Sequence, residues 1–529
     1  MPVALFLQDD LTMPYLLRCA LLLALLLSAC TGEPDGTHEN DADPGVATAT
    51  TGSVDNLLLV CIDTVRADAF YSLGESSADA LSPWQERALD FRRASSASSW
   101  TVPAFGSVLT GLWPSEHAAG RFDRVVAEMS VRPPPLPAAD DVEFLPQAAG
   151  KQGMHTASFS ASTWTNYRVI SLGLLRGFDE VARYQVAAQD LLAPTMIDDL
   201  MRSFAKHRAE GGGLYLLHLM EAHDWHTRSE ESLDAYLAGL DEQELAVLTA
   251  FDPSGTCRDR DSLICKRFLV YLSAIRAQRE AVATLLDRLQ AVNGLDDTAV
   301  VLFSDHGEEF SEHAGAARTP ARREGFARSY PYEYGHGGTM YEEILHVPLL
   351  VWHPAHDGAV VDEPVSLVDI APSVARWLDL DFAPQAWAGR HLEEALAPAD
   401  DGEERVLYAS GIAYGEQQVA VRRGARKAVW FAASSDSDFF DLATDPAERQ
   451  PLASPDWALH FDGLLVDYLD SILAPQAPPG TFSDQQIKSL QAIGYLQNAD
   501  TNGTTAPREA PGQEQGQPDK PPAEASAGP

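Results

Sequence analysis

The chain is poor in basic residues and in cysteine, and its main apolar run is too short to span a bilayer. Its 529 residues include 38 Lys and Arg against 77 Asp and Glu, which gives a formal net charge of -39. A field of that sign repels nucleic acid and anionic lipid headgroups, so we expect no nucleic-acid partner. Five cysteines are too few for a disulfide scaffold and lack the paired spacing of a thiolate zinc site. The length and the apolar content instead fit one large domain with an appendage.

Two of the cysteines, Cys257 and Cys265, lie close enough in sequence to close a small loop. In an oxidising compartment we expect them to form a disulfide. Two separate thiols are the alternative.

The N-terminal end of the chain carries features of export. Residues 18–30 combine one Arg with a short apolar stretch, which predicts a secretory signal over residues 1–30. The sequence Leu-Ser-Ala-Cys that ends at Cys30 resembles a bacterial lipobox, which implies cleavage before Cys30 and acylation of its thiol; an ordinary signal peptide is the alternative. Acidic residues precede Met13, so we interpret Met13 as the initiator.

The segments next to the chain ends are low in large apolar residues. Residues 31–55 read as a disordered tether and residues 498–529 as a disordered tail, because neither can offset the entropy of ordering. We therefore expect an exported protein of the bacterial cell envelope, anchored by lipid at Cys30. The folded domain would lie in the periplasm or outside, and the anchor would be its membrane contact.

Two continuous apolar runs are each followed by candidate ligand residues. The first run is Asn56–Ile62, followed by Asp63, and the second is residues 299–303, followed closely by Asp305 and His306. Such runs are typical of strands buried on both faces of a parallel sheet. Ligands of open α/β sheets gather beyond the carboxyl ends of strands, so these residues are candidates for a functional site.

The rest of the pattern alternates strands with helices. A third buried strand is indicated near Gly213, and apolar residues recur at helical spacing between residues 268 and 289. This predicts an α/β sandwich around a mostly parallel sheet. The helical positions are Phe268, Leu272, Ile275, Val282, Leu285 and Leu289.

Thr101 lies two residues before Pro103 in the segment 97–117. Pro103 suits the first turn of a helix, because its missing N–H needs no partner there. Thr101 would then lie at a helix N-terminus, where backbone amides and the helix dipole stabilise an attacking oxyanion or a phosphate.

Taken together, these segments resemble the sulfatase family. Residues 97–117 are similar to its signature, in which Cys or Ser is followed by x-Pro-x-Arg and then by Leu-Thr-Gly. Residues 304–308 match its Ser-Asp-His-Gly-Glu motif. Residues 334–351 resemble its block of Gly-His-Gly, Tyr-Glu-Glu and Val-Pro-Leu. The resemblance runs from about residue 56 to residue 496. It implies an alkaline-phosphatase-like fold with a catalytic domain at residues 56–402 and a small C-terminal α+β subdomain at residues 403–497.

The resemblance also implies a metal-dependent hydrolase of anionic esters, either small molecules or esters linked to glycans or lipids. One or two divalent ions (Ca, Mg, Mn or Zn) would be held by Asp63, Thr101, Asp305 and His306. His223 and His336 are the candidate catalytic histidines. We interpret His218, which follows the same strand as His223, as a hydrogen-bonded core residue.

The sequence departs from the family pattern at three positions. Thr101 replaces the Cys or Ser that becomes formylglycine, Phe105 replaces the signature Arg, and Thr64 replaces the second residue of an Asp-Asp pair. A sulfated threonine has no release path by elimination, whereas water can resolve a phosphothreonine in line, so phosphoester chemistry is favoured.

Four arginines could supply the missing positive charge: Arg318, Arg322, Arg323 and Arg328. Guanidinium groups bind phosphate or sulfate bidentately, which makes these residues candidates for substrate binding. A solvated basic loop is the alternative. Two other functions stay open, a transferase that delivers the group to an alcohol, and a degenerate binding protein.

Overall fold

The computed structural model describes residues 52–473, with gaps at 77–78, 121–137, 167–170, 185–191, 224, 226–227, 254, 314–333, 383–386, 398–403 and 414–415. Eight strands in this part of the chain form one sheet in the order β11-β2-β10-β7-β1-β6-β4-β5. Their bounds are β1 Asn56–Ile62, β2 Leu89–Phe91, β4 His155–Ser160, β5 Glu180–Arg183, β6 Gly213–Leu219, β7 Thr298–Phe303, β10 Leu349–Trp352 and β11 Ala359–Val361.

The centre of the sheet is parallel and fully buried. β1 pairs in parallel with β6 on one side and with β7 on the other, and β10 alone runs against its neighbours β7 and β2. Every residue of β1, β6 and β7 is buried. Continuous apolar runs form these strands because both faces are covered by other elements. The predicted starts at Asn56, Gly213 and the 298–299 region are confirmed, as is the mostly parallel α/β fold.

Helices cover both faces of the sheet. Their bounds are α1 Ala67–Gly74, α2 Ser82–Gln85, α3 Thr101–Thr110, α4 Pro114–His117, α5 Leu145–Lys151, α6 Thr163–Asn166, α7 Ala193–His207, α8 Glu230–Ala238, α9 Glu242–Ala250, α10 Leu263–Ala291, α11 Glu342–Leu345, α12 Ile370–Trp377 and α13 Ala458–Leu473. None of the described helices is both long enough and apolar enough to cross a bilayer.

The long helix α10 packs one apolar face on the sheet. All six positions that the helical spacing predicted are buried, and Ser262 caps the helix by accepting a hydrogen bond from the Cys265 amide at 3.3 Å. Cys257 and Cys265 form a disulfide at its start, as expected. The bond closes a short loop onto a rigid helix.

A four-stranded antiparallel sheet follows the large sheet in the chain. It consists of β13 Val406–Ser410, β14 Gln418–Arg423, β15 Arg426–Phe431 and β16 Asp436–Asp441, and α13 packs against it. The remaining short strands are β3 Ala94–Ser95, β8 Glu309–Phe310, β9 Tyr334–Gly335 and β12 Val365–Ser366. The predicted C-terminal sheet is therefore present, while the boundaries at 403 and 497 stay predictions.

Buried charges join this second sheet to α11. The Lys427 ammonium lies 2.9 Å from both Glu342 and Glu448, and Arg422 lies 2.7 Å from Glu342. Lys427 and Glu448 are both buried, so removing the Lys427 ammonium would leave the buried Glu448 carboxylate without that partner. The second sheet and α11 thus share a polar as well as an apolar contact.

Candidate active site

The parallel register brings two aspartates together at the carboxyl edge of the sheet. Cys61 of β1 pairs with Phe303 of β7, so Asp63 and Asp305, two residues further along each chain, are neighbours. With His306 they offer one ligand atom each, all within 4.8 Å of one another, and all three side chains are fully buried. The sequence motifs are thus assembled by the pairing of two strands more than 200 residues apart.

Four atoms converge on one point. His306 Nε2 lies 3.3 Å from Thr101 Oγ1, 3.4 Å from Asp305 Oδ2 and 3.9 Å from Asp63 Oδ1. The other ring nitrogen, Nδ1, lies 3.0 Å from the Gly307 carbonyl, which can only accept, so Nδ1 carries the proton. In the neutral ring Nε2 then presents a lone pair to the same space as the carboxylate oxygens.

The electrostatics of this cluster favour a bound cation. Asp63 Oδ1 and Asp305 Oδ2 are buried and accept no hydrogen bond. Burial alone would raise the pKa of Asp63, but the hydrogen bond from His218 and the neighbouring histidines hold that pKa well below its usual range. Burial and the charge of Asp63 raise the pKa of Asp305. Two buried carboxylates and an imidazole lone pair without a counter-charge are costly, and a divalent cation between them removes that cost.

Cys61 lies beneath the carboxylates and, with His218 and Asp305, forms a second group of possible ligand atoms. Burial, Asp305 and Asp63 raise the pKa of its thiol, which keeps it protonated, whereas thiol ligands bind as thiolates. His218 Nε2 is already bonded to Asp63 Oδ2 at 2.8 Å. These residues therefore fit one cation better than two.

Thr101 is the first residue of α3, as the position of Pro103 predicted. Its side chain is nearly buried, at 5% exposure, and it faces His306. The first backbone N–H groups of the helix have no acceptor within the helix, so the N-terminus favours negative charge near Thr101. Gly106 allows the buried His117 ring to pack against α3, because a Cβ there would lie 2.3 Å from that ring.

Three histidine rings lie next to one another at this cluster. The His306 and His336 ring centroids are 4.4 Å apart, and those of His336 and His223 are 5.2 Å apart. Both predicted catalytic histidines are therefore brought to the site. The His336 Nδ1 atom lies 3.2 Å from the carboxylate of Glu308, which is buried at 1% exposure. Since a carboxylate only accepts, Glu308 orients the ring with Nδ1–H towards itself.

The other two departures from the family pattern, Phe105 and Thr64, are both buried. Phe105 is fully buried and packs on the ring of His218 at 4.7 Å. Thr64 has a φ of 63°, which a β-branched residue rarely adopts and which costs about 1–3 kcal/mol. Its hydroxyl donates to the Asp63 carbonyl at 2.6 Å, and its own carbonyl accepts from Tyr271. The strained residue follows the candidate metal ligand directly.

Sequence reasoning missed the roles of His218 and Glu308. His218 is a hydrogen-bonded core residue as interpreted, but its partner is the candidate ligand Asp63. Glu308 belongs to the recognised motif, and its position three residues after Asp305 was the available signal. Arg318, Arg322, Arg323 and Arg328, as well as Met13 and Cys30, lie outside the described residues, so their roles stay predictions.

Several known proteins are similar to this chain in sequence or in fold. The sulfatase family model matches residues 55–380. The chain is 27% identical over 190 residues to an ulvan-active sulfatase of Formosa agariphila, covering 34% of each protein. It is 30% identical over 196 residues to a choline-sulfatase of Rhizobium meliloti, covering 35% of this chain and 32% of that protein. Each match thus spans about a third of the curated relative.

Among solved structures, the fold is similar to that of a phosphonate monoester hydrolase from Silicibacter pomeroyi. The TM-score is 0.56 at 18% sequence identity, over 80% of this chain and 96% of that one. At this identity the likeness supports the fold alone.

We predict that Asp305→Asn weakens divalent-cation binding by at least the roughly 10- to 100-fold that loss of a supporting residue costs. The pKa of Asp305 is raised in the folded state, so the folded protein binds this proton more tightly than the unfolded chain does. The free energy of unfolding therefore falls as pH rises above the pKa that Asp305 has in the unfolded chain. The metal-free variant should therefore melt at a higher temperature than the metal-free wild type at neutral pH. Calorimetric titration with Mn²⁺ and thermal melting measure the two effects.

Asp90→Asn is the matched control, because Asp90 is buried in the same sheet and accepts from Tyr71 and Gln85. It should lower the melting temperature and leave cation affinity unchanged. Wild-type affinity in Asp305→Asn would contradict the site assignment.

Proposed function

The chain belongs to the sulfatase family, and we propose that it is a metal-dependent ester hydrolase whose nucleophile is Thr101. The observation that carries the proposal is the convergence of Thr101 Oγ1, two buried carboxylates and the His306 lone pair on one point at a helix N-terminus. A nucleophile, a cation site and a fixed positive dipole are the parts that transfer of an anionic group requires.

The cation would be held by Asp63, Asp305, His306 and the Thr101 hydroxyl. Three oxygens with one imidazole nitrogen favour Mn or Zn over Ca or Mg. When bound, the cation would neutralise charge on the substrate oxygens and favour the ionised form of the Thr101 hydroxyl.

In the reaction that we propose, the Thr101 oxygen attacks in line while the N-terminus of α3 stabilises the charge that develops. His336 Nε2 then donates a proton to the leaving oxygen, since Glu308 holds Nδ1 in its protonated form. The same nitrogen subsequently accepts a proton from the water that hydrolyses the covalent intermediate. His223, whose ring lies next to that of His336, would contact the substrate.

Phosphoesters are the substrates that this nucleophile favours. A threonine ester releases its group by a second displacement, and phosphorus supports in-line displacement at both steps. A sulfated threonine, in contrast, lacks the elimination path that a formylglycine hydrate provides. We infer an anionic phosphoester, on a small molecule, a glycan or a lipid, as the substrate class.

We also propose that the protein is exported and held at the cell envelope by acylation of Cys30. The disulfide between Cys257 and Cys265 supports an oxidising compartment. Cys30→Ala should move the protein from the membrane fraction to the soluble fraction of cells that produce it, with activity retained. A wild-type protein whose mature N-terminus lies beyond Cys30 and carries no lipid, by mass spectrometry, would refute the anchor.

We predict that Thr101→Ala lowers turnover of aryl phosphates by at least about 1000-fold, while Thr101→Ser retains part of the rate. Thr101→Val is the matched control for shape, because it keeps the β-branch and removes the hydroxyl. With Mn²⁺ present, matched aryl phosphate mono- and diesters should react faster than the aryl sulfate. A sulfate preference in unmodified protein would overturn the phosphoester assignment, and a fully active Thr101→Ala would remove the nucleophile role.

We predict that His336→Ala and Glu308→Gln act through the leaving group. Both variants should slow esters of poorly acidic alcohols by about 100-fold, the range of general acid catalysis, and slow nitrophenyl esters much less, since nitrophenolate leaves without a proton. Rates over a series of leaving groups give the comparison. An equal loss with every leaving group would contradict the proton-donor role.

A further inference from the structure

A continuous chain of buried hydrogen bonds runs from β4 to the candidate cation site. Ser160 Oγ lies 2.6 Å from Thr165 Oγ1, Thr165 Oγ1 lies 2.7 Å from His218 Nδ1, and His218 Nε2 lies 2.8 Å from Asp63 Oδ2. All four side chains are fully buried, at 0% exposure. The proposed reaction uses only Asp63 of these four groups, so the role of the other three remains to be explained.

We propose that His218 is a positioning residue that fixes the Asp63 carboxylate for cation binding, with Thr165 and Ser160 fixing His218 in turn. The inference rests on the proposed function, because it assumes that Asp63 binds the cation.

The direction of the hydrogen bonds follows from the chemistry of the groups. The Asp63 carboxylate only accepts, so His218 Nε2 must carry a proton. In the neutral ring Nδ1 is then an acceptor, and the Thr165 hydroxyl donates to it. Because the Thr165 hydroxyl uses its hydrogen on His218, Ser160 Oγ donates to Thr165 Oγ1 at 2.6 Å, and it accepts from the Ser162 amide at 3.0 Å. The chain therefore selects one tautomer of His218.

This arrangement divides the two oxygens of Asp63 between two tasks. Oδ2 is held by His218, and Oδ1 is left without a hydrogen bond on the side that faces His306 Nε2. Because one oxygen is anchored, the carboxylate cannot rotate freely, and the other oxygen is presented in one direction. Partners that orient a ligand in this way raise metal affinity.

The position of His218 is fixed from two further directions. In the sheet it pairs with Cys61, the residue two places before Asp63, so the backbone sets its distance from the ligand. On the other side the Phe105 ring packs on its imidazole at 4.7 Å. Phe105 occupies the position at which the family signature has an arginine, and here it gives the imidazole an apolar contact.

A purely structural role for His218 predicts a different result from a positioning role. Loss of packing or of a core hydrogen bond would destabilise the protein whether or not a cation is bound. Loss of positioning would lower the affinity for the cation, by about 10- to 100-fold. Cation affinity and metal-free stability must therefore be measured separately.

The experiment uses the metal-free full-length protein and Mn²⁺ as the probe, with affinity from calorimetry and stability from thermal melting without metal. His218→Leu should bind Mn²⁺ about 10- to 100-fold more weakly than the wild type. His218→Gln, whose amide can still donate to Asp63, should recover most of that loss. Thr165→Val, which removes the donor to Nδ1, should bind more weakly than the wild type but more tightly than His218→Leu.

The control is His353→Gln. His353 is also buried and follows β10, which runs against β7, so it lies at the opposite edge of the sheet from the site. This variant should change the melting temperature and leave Mn²⁺ affinity at the wild-type value.

Equal Mn²⁺ affinity in the wild type, His218→Leu and Thr165→Val would overturn the positioning role and leave the proposed function intact. If His218→Leu does not fold, the comparison of His218→Gln and Thr165→Val with the wild type decides the question in the same way. A wild type that binds no Mn²⁺, Zn²⁺, Ca²⁺ or Mg²⁺ would instead overturn the proposed cation site, and this inference with it.

Discussion

The structure depends on holding two buried carboxylates side by side. Asp63 and Asp305 are neighbours because β1 and β7 pair in parallel and both chains end at the same edge. Their mutual repulsion and their burial oppose folding, and the hydrogen bond from His218 to Asp63 offsets this only in part. A bound cation would remove this unfavourable free energy, so we expect cation binding to stabilise the fold as well as to serve the proposed function.

The elements around the carboxylates follow from the same constraint. α3 begins with Thr101, so the positive end of the helix dipole lies next to the anionic cluster. The backbone turns after β1 at Thr64, which adopts a left-handed conformation. Glu308 lies in the loop that carries Asp305 and sets the orientation of His336. The proposed nucleophile, cation ligands and proton donor thus lie together at one edge of the sheet.

The central strands and the candidate ligands could be predicted because short stretches of sequence indicate both. An uninterrupted apolar run indicates a strand buried on both faces, and an acidic residue at its end indicates a site. The partnership of His218 with Asp63 could not be predicted, since the two residues are 155 positions apart and any buried histidine needs a partner. The packing of Phe105 on His218 could not be predicted either, because it depends on the order of the strands in the sheet.

The central claim is that Thr101 carries the transferred group during turnover. The most direct measurement is rapid quenching of the Mn²⁺-loaded wild type during its first turnover of a nitrophenyl phosphoester, followed by intact-protein and peptide mass spectrometry. The account predicts one phosphoryl group, on the peptide that contains Thr101, which appears with the first released nitrophenol and disappears when substrate is exhausted. Turnover without any adduct across the time course, or a phosphoryl group on another residue, would contradict it.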